Sequence, residues 1–150
     1  MARNARDIRF ATFNLRNLHL PGKPIYSDRN GWSQAEYDAK LQWSASILKQ
    51  LDADVIGFQE LWDGRALDEL FERAELQDSY DRVTREQGSG ISVALAARRG
   101  LLRKNTVEWI ADFPETCRFA GLQEARDAKE TVSISIDKFS RPLLKAVIQP

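Results

Sequence analysis

Residues 33–60, SQAEYDAKLQWSASILKQLDADVIGFQE, carry the pattern that decides the fold. Ser33 and Glu36 form a capping-box pair, and Tyr37, Leu41, Ser44, Leu48 and Leu51 recur at alternating spacings of four and three, the stripe of an amphipathic helix. This spacing predicts a helix over 33–51. Asp52, Ala53 and Asp54 then make a short turn into VIGFQE, residues 55–60, an apolar run with a polar end that reads as a buried strand. Upstream, IRFATFNL at 8–15 places Ile8, Phe10 and Thr12 on one face and Ala11, Phe13 and Leu15 on the other, which predicts a central strand covered on both sides. A strand, a helix and a second strand make a βαβ unit, so the strands are expected to run parallel with a right-handed crossover. Their carboxyl ends then share one sheet edge.

Outside this unit the elements are shorter. Between Arg16 and Trp32, Pro21, Gly22, Pro24, Asn30 and Gly31 punctuate a long loop. Leu67, Leu70, Phe71 and Ala74 mark a second helix after Asp63, and 91–96, 106–111, 131–136 and 141–148 read as strands, the last with Pro142 near its start. Residues 112–121 read as a loop. No repeat, linker or low-complexity tract interrupts the pattern, and 1–150 is expected to be a single α/β domain.

Composition narrows the function classes. Lys+Arg and Asp+Glu are both 22, so no net field draws the chain to nucleic acid or an anionic membrane, and any such contact must be local. The single Cys117 has no partner for an intrachain disulfide and no Cys or His at metal-ligand spacing. The amino terminus lacks the apolar core of a signal peptide, and no apolar run approaches the ~18 residues that span a membrane. A cytoplasmic protein without membrane contact is expected.

The chemistry gathers at the shared edge. Asn14 ends the first strand and Glu60 the second, and ligands collect at that edge of open α/β sheets. A carboxylate and an amide oxygen are hard ligands, and Mg²⁺ takes only one or two protein carboxylates beside water and phosphate oxygens, so the pair suits Mg²⁺ better than zinc. Taken singly, Asn after a strand is a turn former and Glu at a strand end a solvated residue. Asp52 and Asp54 lie at the opposite edge and are read as turn residues. Arg98, Arg99, Arg103 and Lys104 are read as a solvated basic face, and Gly88, Ser89 and Gly90 as a hairpin turn.

IRFATFNLRNL at 8–18 followed by LKQLDADVIGFQELW at 48–62 resembles the opening of the endonuclease/exonuclease/phosphatase superfamily of metal-dependent phosphoester hydrolases. The family's first motif places an Asn at the end of the first strand, matching Asn14, and its second places a metal-binding Glu in a QE pair, matching Glu60. More weakly, GSGISVALAARRGL at 88–101 and FSRPLLKAVI at 139–148 resemble later strands of the family. The resemblance implies an α/β fold that is the amino-terminal half of a two-layer β-sandwich flanked by helices. It also implies Mg²⁺, with Mn²⁺ as a substitute, at Glu60 and Asn14, and a phosphoester substrate such as a nucleic acid. Trp62 and Asp63, which follow Glu60, are candidates for lining the substrate pocket.

The family's later motifs, with the water-activating Asp and His, find no match before Pro150, so a truncated domain with little hydrolysis of its own is expected. The sole histidine, His19, falls in the early loop and is read as a surface residue. The alternative reading is a non-catalytic remnant whose uncovered sheet binds a partner chain or a second copy; a monodisperse monomer in sedimentation would argue against it.

Overall fold

The computed structural model describes residues 7–27, 30–88, 90–114 and 138–149. Helix α1 (Gln34–Leu51) begins on its predicted cap. The Ser33 hydroxyl accepts the Glu36 N–H at 3.3 Å, and the Glu36 carboxylate accepts the Ser33 N–H at 2.9 Å, so two otherwise unpaired amides of the first turn are satisfied. Tyr37, Leu41, Ser44, Ala45 and Leu48 are buried, and Asp52 ends the helix in a left-handed conformation.

Strands β1 (Phe10–Leu18) and β2 (Val55–Leu61) flank α1 in sequence and pair in parallel, Phe10 opposite Val55 and Asn14 opposite Gln59. After β2, Asp63 caps α2 (Gly64–Arg73), which buries Ala66, Leu67, Leu70 and Phe71. Next come β3 (Tyr80–Val83) and β4 (Ser92–Arg98), antiparallel to each other, with β4 also antiparallel to β2. The sheet order is β1-β2-β4-β3. Both helices lie on one face, where Tyr37, Leu41, Leu48, Leu67, Leu70 and Phe71 pack with Leu15, Ile56, Phe58, Ala94 and Ala96 in a single apolar cluster.

The other face carries a smaller layer. Strands β5 (Glu108–Asp112) and β6 (Lys138–Lys145) pair antiparallel, and Leu102 bridges to Ile148. Val55, Ala97 and Leu102 are buried there, with Val83, Leu95, Val107, Ala146 and Ile148 packed around them. The protein is thus a mixed α/β structure with a four-stranded sheet, a second two-stranded sheet and two helices.

Several expectations change. Among the described strands β1 is at the sheet edge, not the centre, since it pairs only with β2, and its outward face is uncovered, with Phe10 67% exposed. The central place belongs to β2, which has buried residues on both faces. Strand β1 also runs on to Leu18, so the loop starts at His19. Strand β3 was not expected, being four residues long with little periodicity. Strand β6 starts earlier than predicted, at Lys138. The strand predicted at 131–136, most of the 112–121 loop, Ser89 and Cys117 lie outside the described residues.

Asp52 and Asp54 occupy the helix-to-strand turn at the far edge. Asp54, 6% exposed, accepts the Arg9 N–H at 2.9 Å and pairs with Arg98 at 3.2 Å, while Asp52 pairs with both guanidinium groups. The expected basic face is divided among local partners: Arg98 takes these two aspartates and lies over Tyr80, Arg103 donates to Gln149, and Lys104 is 3.8 Å from Asp81. Among the described residues no helix is long and apolar enough to cross a membrane.

Candidate functional site

Side chains alternate along a strand, so Asn14 shares the outward face of Phe10 and Thr12, whereas Glu60 has the parity of Ile56 and Phe58 beneath the helices. Regular strands could not bring the two together. Two irregularities do. Three steps of β2, Phe58 to Leu61, face two of β4, Ala94 to Ser92, which is a bulge, and Glu60 within it has φ +60°. Four steps of β1, Asn14 to Leu18, face two of β2, Gln59 to Leu61, with Arg16 at φ +49° and Asn17 at +60°. A bulge re-aims the side chain it carries, and here Asn14 Nδ2 donates to Glu60 Oε1 at 2.9 Å. Left-handed backbone costs roughly 1–2 kcal/mol for a residue other than glycine, and such strain clusters where function needs a particular geometry.

The structure therefore brings the two predicted residues into contact, but Asn14 is turned differently from the expectation. Its amide oxygen accepts the Arg16 N–H at 2.7 Å, so the amide nitrogen, rather than a ligating oxygen, faces Glu60. As arranged, Asn14 holds the carboxylate in place. No third acidic, His or Cys side chain joins them in a potential metal-binding group among the described residues. Glu60 would be the one carboxylate here to hold a cation such as Mg²⁺, whose other positions water and substrate would have to fill.

Behind Glu60, Trp62 and Asp63 take distinct roles. The Trp62 indole donates to Asn17 Oδ1 at 3.1 Å; its ring is stacked with His19 at 5.8 Å and meets the edge of Tyr26 at 5.0 Å. Asp63 is 6% exposed and receives the Arg65 backbone N–H on one oxygen and the Arg65 guanidinium on both. That hydrogen bonding holds the Asp63 carboxyl below its ordinary value. It caps α2.

His19 is not the surface residue expected. Its Nδ1 accepts the Leu20 N–H at 2.9 Å, leaving the proton of the neutral ring on Nε2. Burial lowers its pKa from 6.5, Asp63 opposes the shift, and Lys23 and Arg65 reinforce it. Between 6.5 and the lower folded value the unfolded chain binds more protons, so this contribution to stability is present above 6.5 and lost as pH falls through the folded pKa. Replacing His19 with Phe should flatten the decline in stability on acidification from neutrality through that window, measured by urea unfolding at successive pH values. An unchanged slope would show that His19 does not carry it.

Residues the sequence reading passed over complete the site. Asn17 is held by two indoles, its carbonyl accepting Trp32 Nε1 at 2.8 Å and its side chain accepting Trp62. The Gly22 N–H donates to the Trp32 carbonyl at 2.9 Å, and a Cβ on Gly31 would overlap the Lys23 carbonyl, so only glycine fits there. Between this loop and α1 lies an open cleft of about 540 Å³ lined by Arg16, Asn17, Trp32, Glu36 and Lys40 among others. Lys40 sits with its ammonium 4.9 Å from the centre of the Trp32 ring, and its pKa is lowered by burial and then by Arg16, against the opposing pull of Glu60. Only Asn17 signals this arrangement in the sequence, since Asn tolerates left-handed backbone.

The chain matches no protein-family model, and no curated protein matches it.

Proposed function

We propose that the protein serves metal-dependent hydrolysis of phosphoester bonds, of the endonuclease/exonuclease/phosphatase type, with Glu60 as the carboxylate that holds Mg²⁺ or Mn²⁺. The observation that carries this reading is the contact between Asn14 and Glu60, made through a strained bulge at the carboxyl edge of two parallel strands. A two-stranded sheet opposite the helices is in keeping with the sandwich architecture of that superfamily.

When bound, the metal supplies positive charge for the phosphoryl oxygens and the developing oxyanion. The chain's own residues do the rest of this half of the work. Glu60 binds the cation, Asn14 Nδ2 fixes which carboxylate oxygen is presented, and Arg16 N–H fixes Asn14. Trp62, braced by His19 and Tyr26, forms an apolar wall for the substrate. Asp63, committed to Arg65 and the helix cap, is left out of the substrate contacts.

Calorimetric titration of Mg²⁺ into the protein and into Glu60→Ala tests the reading. Binding is expected in the native chain and should be lost in the variant. Equal binding in both, or none in the native chain, would remove Glu60 from the metal and this function with it.

A further inference from the structure

Five of the ten described arginines have an acid within 4.0 Å: Arg9 has Asp52, Arg65 has Asp63, Arg73 has Asp38, Arg82 has Asp68 and Arg98 has Asp54. Among the described residues the two cations of the cleft, Arg16 and Lys40, have none. The acid that does line the cleft, Glu36, is turned to Ser33, whose N–H and hydroxyl it accepts at 2.9 and 2.7 Å.

Both cations are placed by other contacts. Lys40 is half-buried with its ammonium over the Trp32 ring, and the Trp32 indole is tied to the Asn17 carbonyl. Arg16 stands on left-handed backbone at the point where β1 departs from regular pairing, exposed at the cleft. A desolvated ammonium is a point charge for a phosphate, and a guanidinium offers a planar fork that matches two of its oxygens. At about 540 Å³ the cleft has room for a phosphate and part of what carries it.

We propose that this cleft binds a phosphate group, with Lys40 and Arg16 as its cationic contacts. Binding there requires no metal. Arg16 of the cleft donates its backbone N–H to Asn14, whose amide holds Glu60, so the phosphate belongs to the same substrate and is a second one beside the ester being cleaved; this step rests on the function proposed above. The site thus selects substrates with more than one phosphate, such as a polynucleotide or a multiply phosphorylated small molecule, over isolated monoesters.

The test is titration of inorganic phosphate in EDTA, followed by the NMR resonance of the Trp32 indole N–H. A saturable shift is expected. Truncating either cation, in Lys40→Met or Arg16→Met, should weaken it about tenfold or more, the loss of a charged hydrogen bond. Lys40→Arg should retain binding, and Glu60→Gln should retain or tighten it, since a nearby negative charge is removed. Absence of a saturable shift in the native chain, or equal affinity in Lys40→Met with its fold intact by circular dichroism, overturns the site. Phosphate binding in EDTA without any Mg²⁺ binding would uphold the cleft while the metal reading falls. A dinucleotide and a hexose bisphosphate serve as competitors: displacement by one identifies its class as the source, and displacement by neither overturns the assignment to a substrate.

Discussion

Replacing Phe58 with alanine should destabilise the protein by about 3–5 kcal/mol, the loss typical of a fully buried aromatic ring. Phe58 is fully buried on the central strand, with its ring 6.2 Å from Phe13 and 6.1 Å from Phe71. It joins the edge strand to α2, and Phe71 continues the contact to Tyr80 at 5.4 Å. Removing the ring loses its transfer free energy, leaves a cavity that a sheet and two helices cannot close, and breaks an edge-to-face contact with Phe71 and a tilted one with Phe13, worth roughly 0.5–1.5 kcal/mol each. Against a typical total of ~5–15 kcal/mol the variant would be at the margin of folding. Urea unfolding measures the effect as a fall in midpoint at constant slope. A loss under about 1.5 kcal/mol would mean that the layer repacks, contrary to the close packing of these rings.

The second large effect is a divergence between stability and binding at Glu60. Glu60→Gly and Glu60→Ala both delete the carboxylate, so both should abolish Mg²⁺ binding. They differ only in the backbone. At φ +60° alanine retains the left-handed penalty of roughly 1–2 kcal/mol and glycine does not, although glycine returns about 0.4–1 kcal/mol to the unfolded chain. The glycine variant is therefore expected to be the more stable of the two by up to about 1.6 kcal/mol. Thermal unfolding of the pair reads this directly, and an alanine variant more stable than the glycine one by about 0.4–1 kcal/mol would show that the bulge is unstrained.

What the sequence made legible and what it hid follow from the range of the interactions involved. Helix α1 was readable because its signals are local: Ser33 and Glu36 are three residues apart, and the buried face recurs once a turn. The parallel pairing of β1 and β2 followed from the crossover, and with it the meeting of Asn14 and Glu60 at one edge. The manner of their meeting was hidden, because a bulge normally advertises itself by glycine and this one is built on Glu60, Arg16 and Asn17. The edge position of β1 was hidden too. Phe10 suggests a covered face by composition, yet it is exposed, and no local pattern distinguishes the two cases. Lys40 was unreadable as part of the site because its place depends on Trp32 and on a loop anchored to Asn17 from fifteen positions away.

That anchoring separates the loop from the scaffold in a useful way. The chain leaves β1 beside Asn17 and returns to the same spot at Trp32, where the Gly22 to Trp32 bond and the close seat of Gly31 on Lys23 seal the neck. An excursion sealed at its neck can change length at little expense, since each doubling of a flexible loop costs only about 0.6 kcal/mol. Within it Ile25 is buried and Tyr26 braces Trp62, so those two positions must be kept, while the exposed Pro24 and Ser27 can be exchanged without disturbing β1, the bulge or α1. The neck works as a graft junction: the outer positions of the loop can be varied while the fold that presents Glu60 stays fixed.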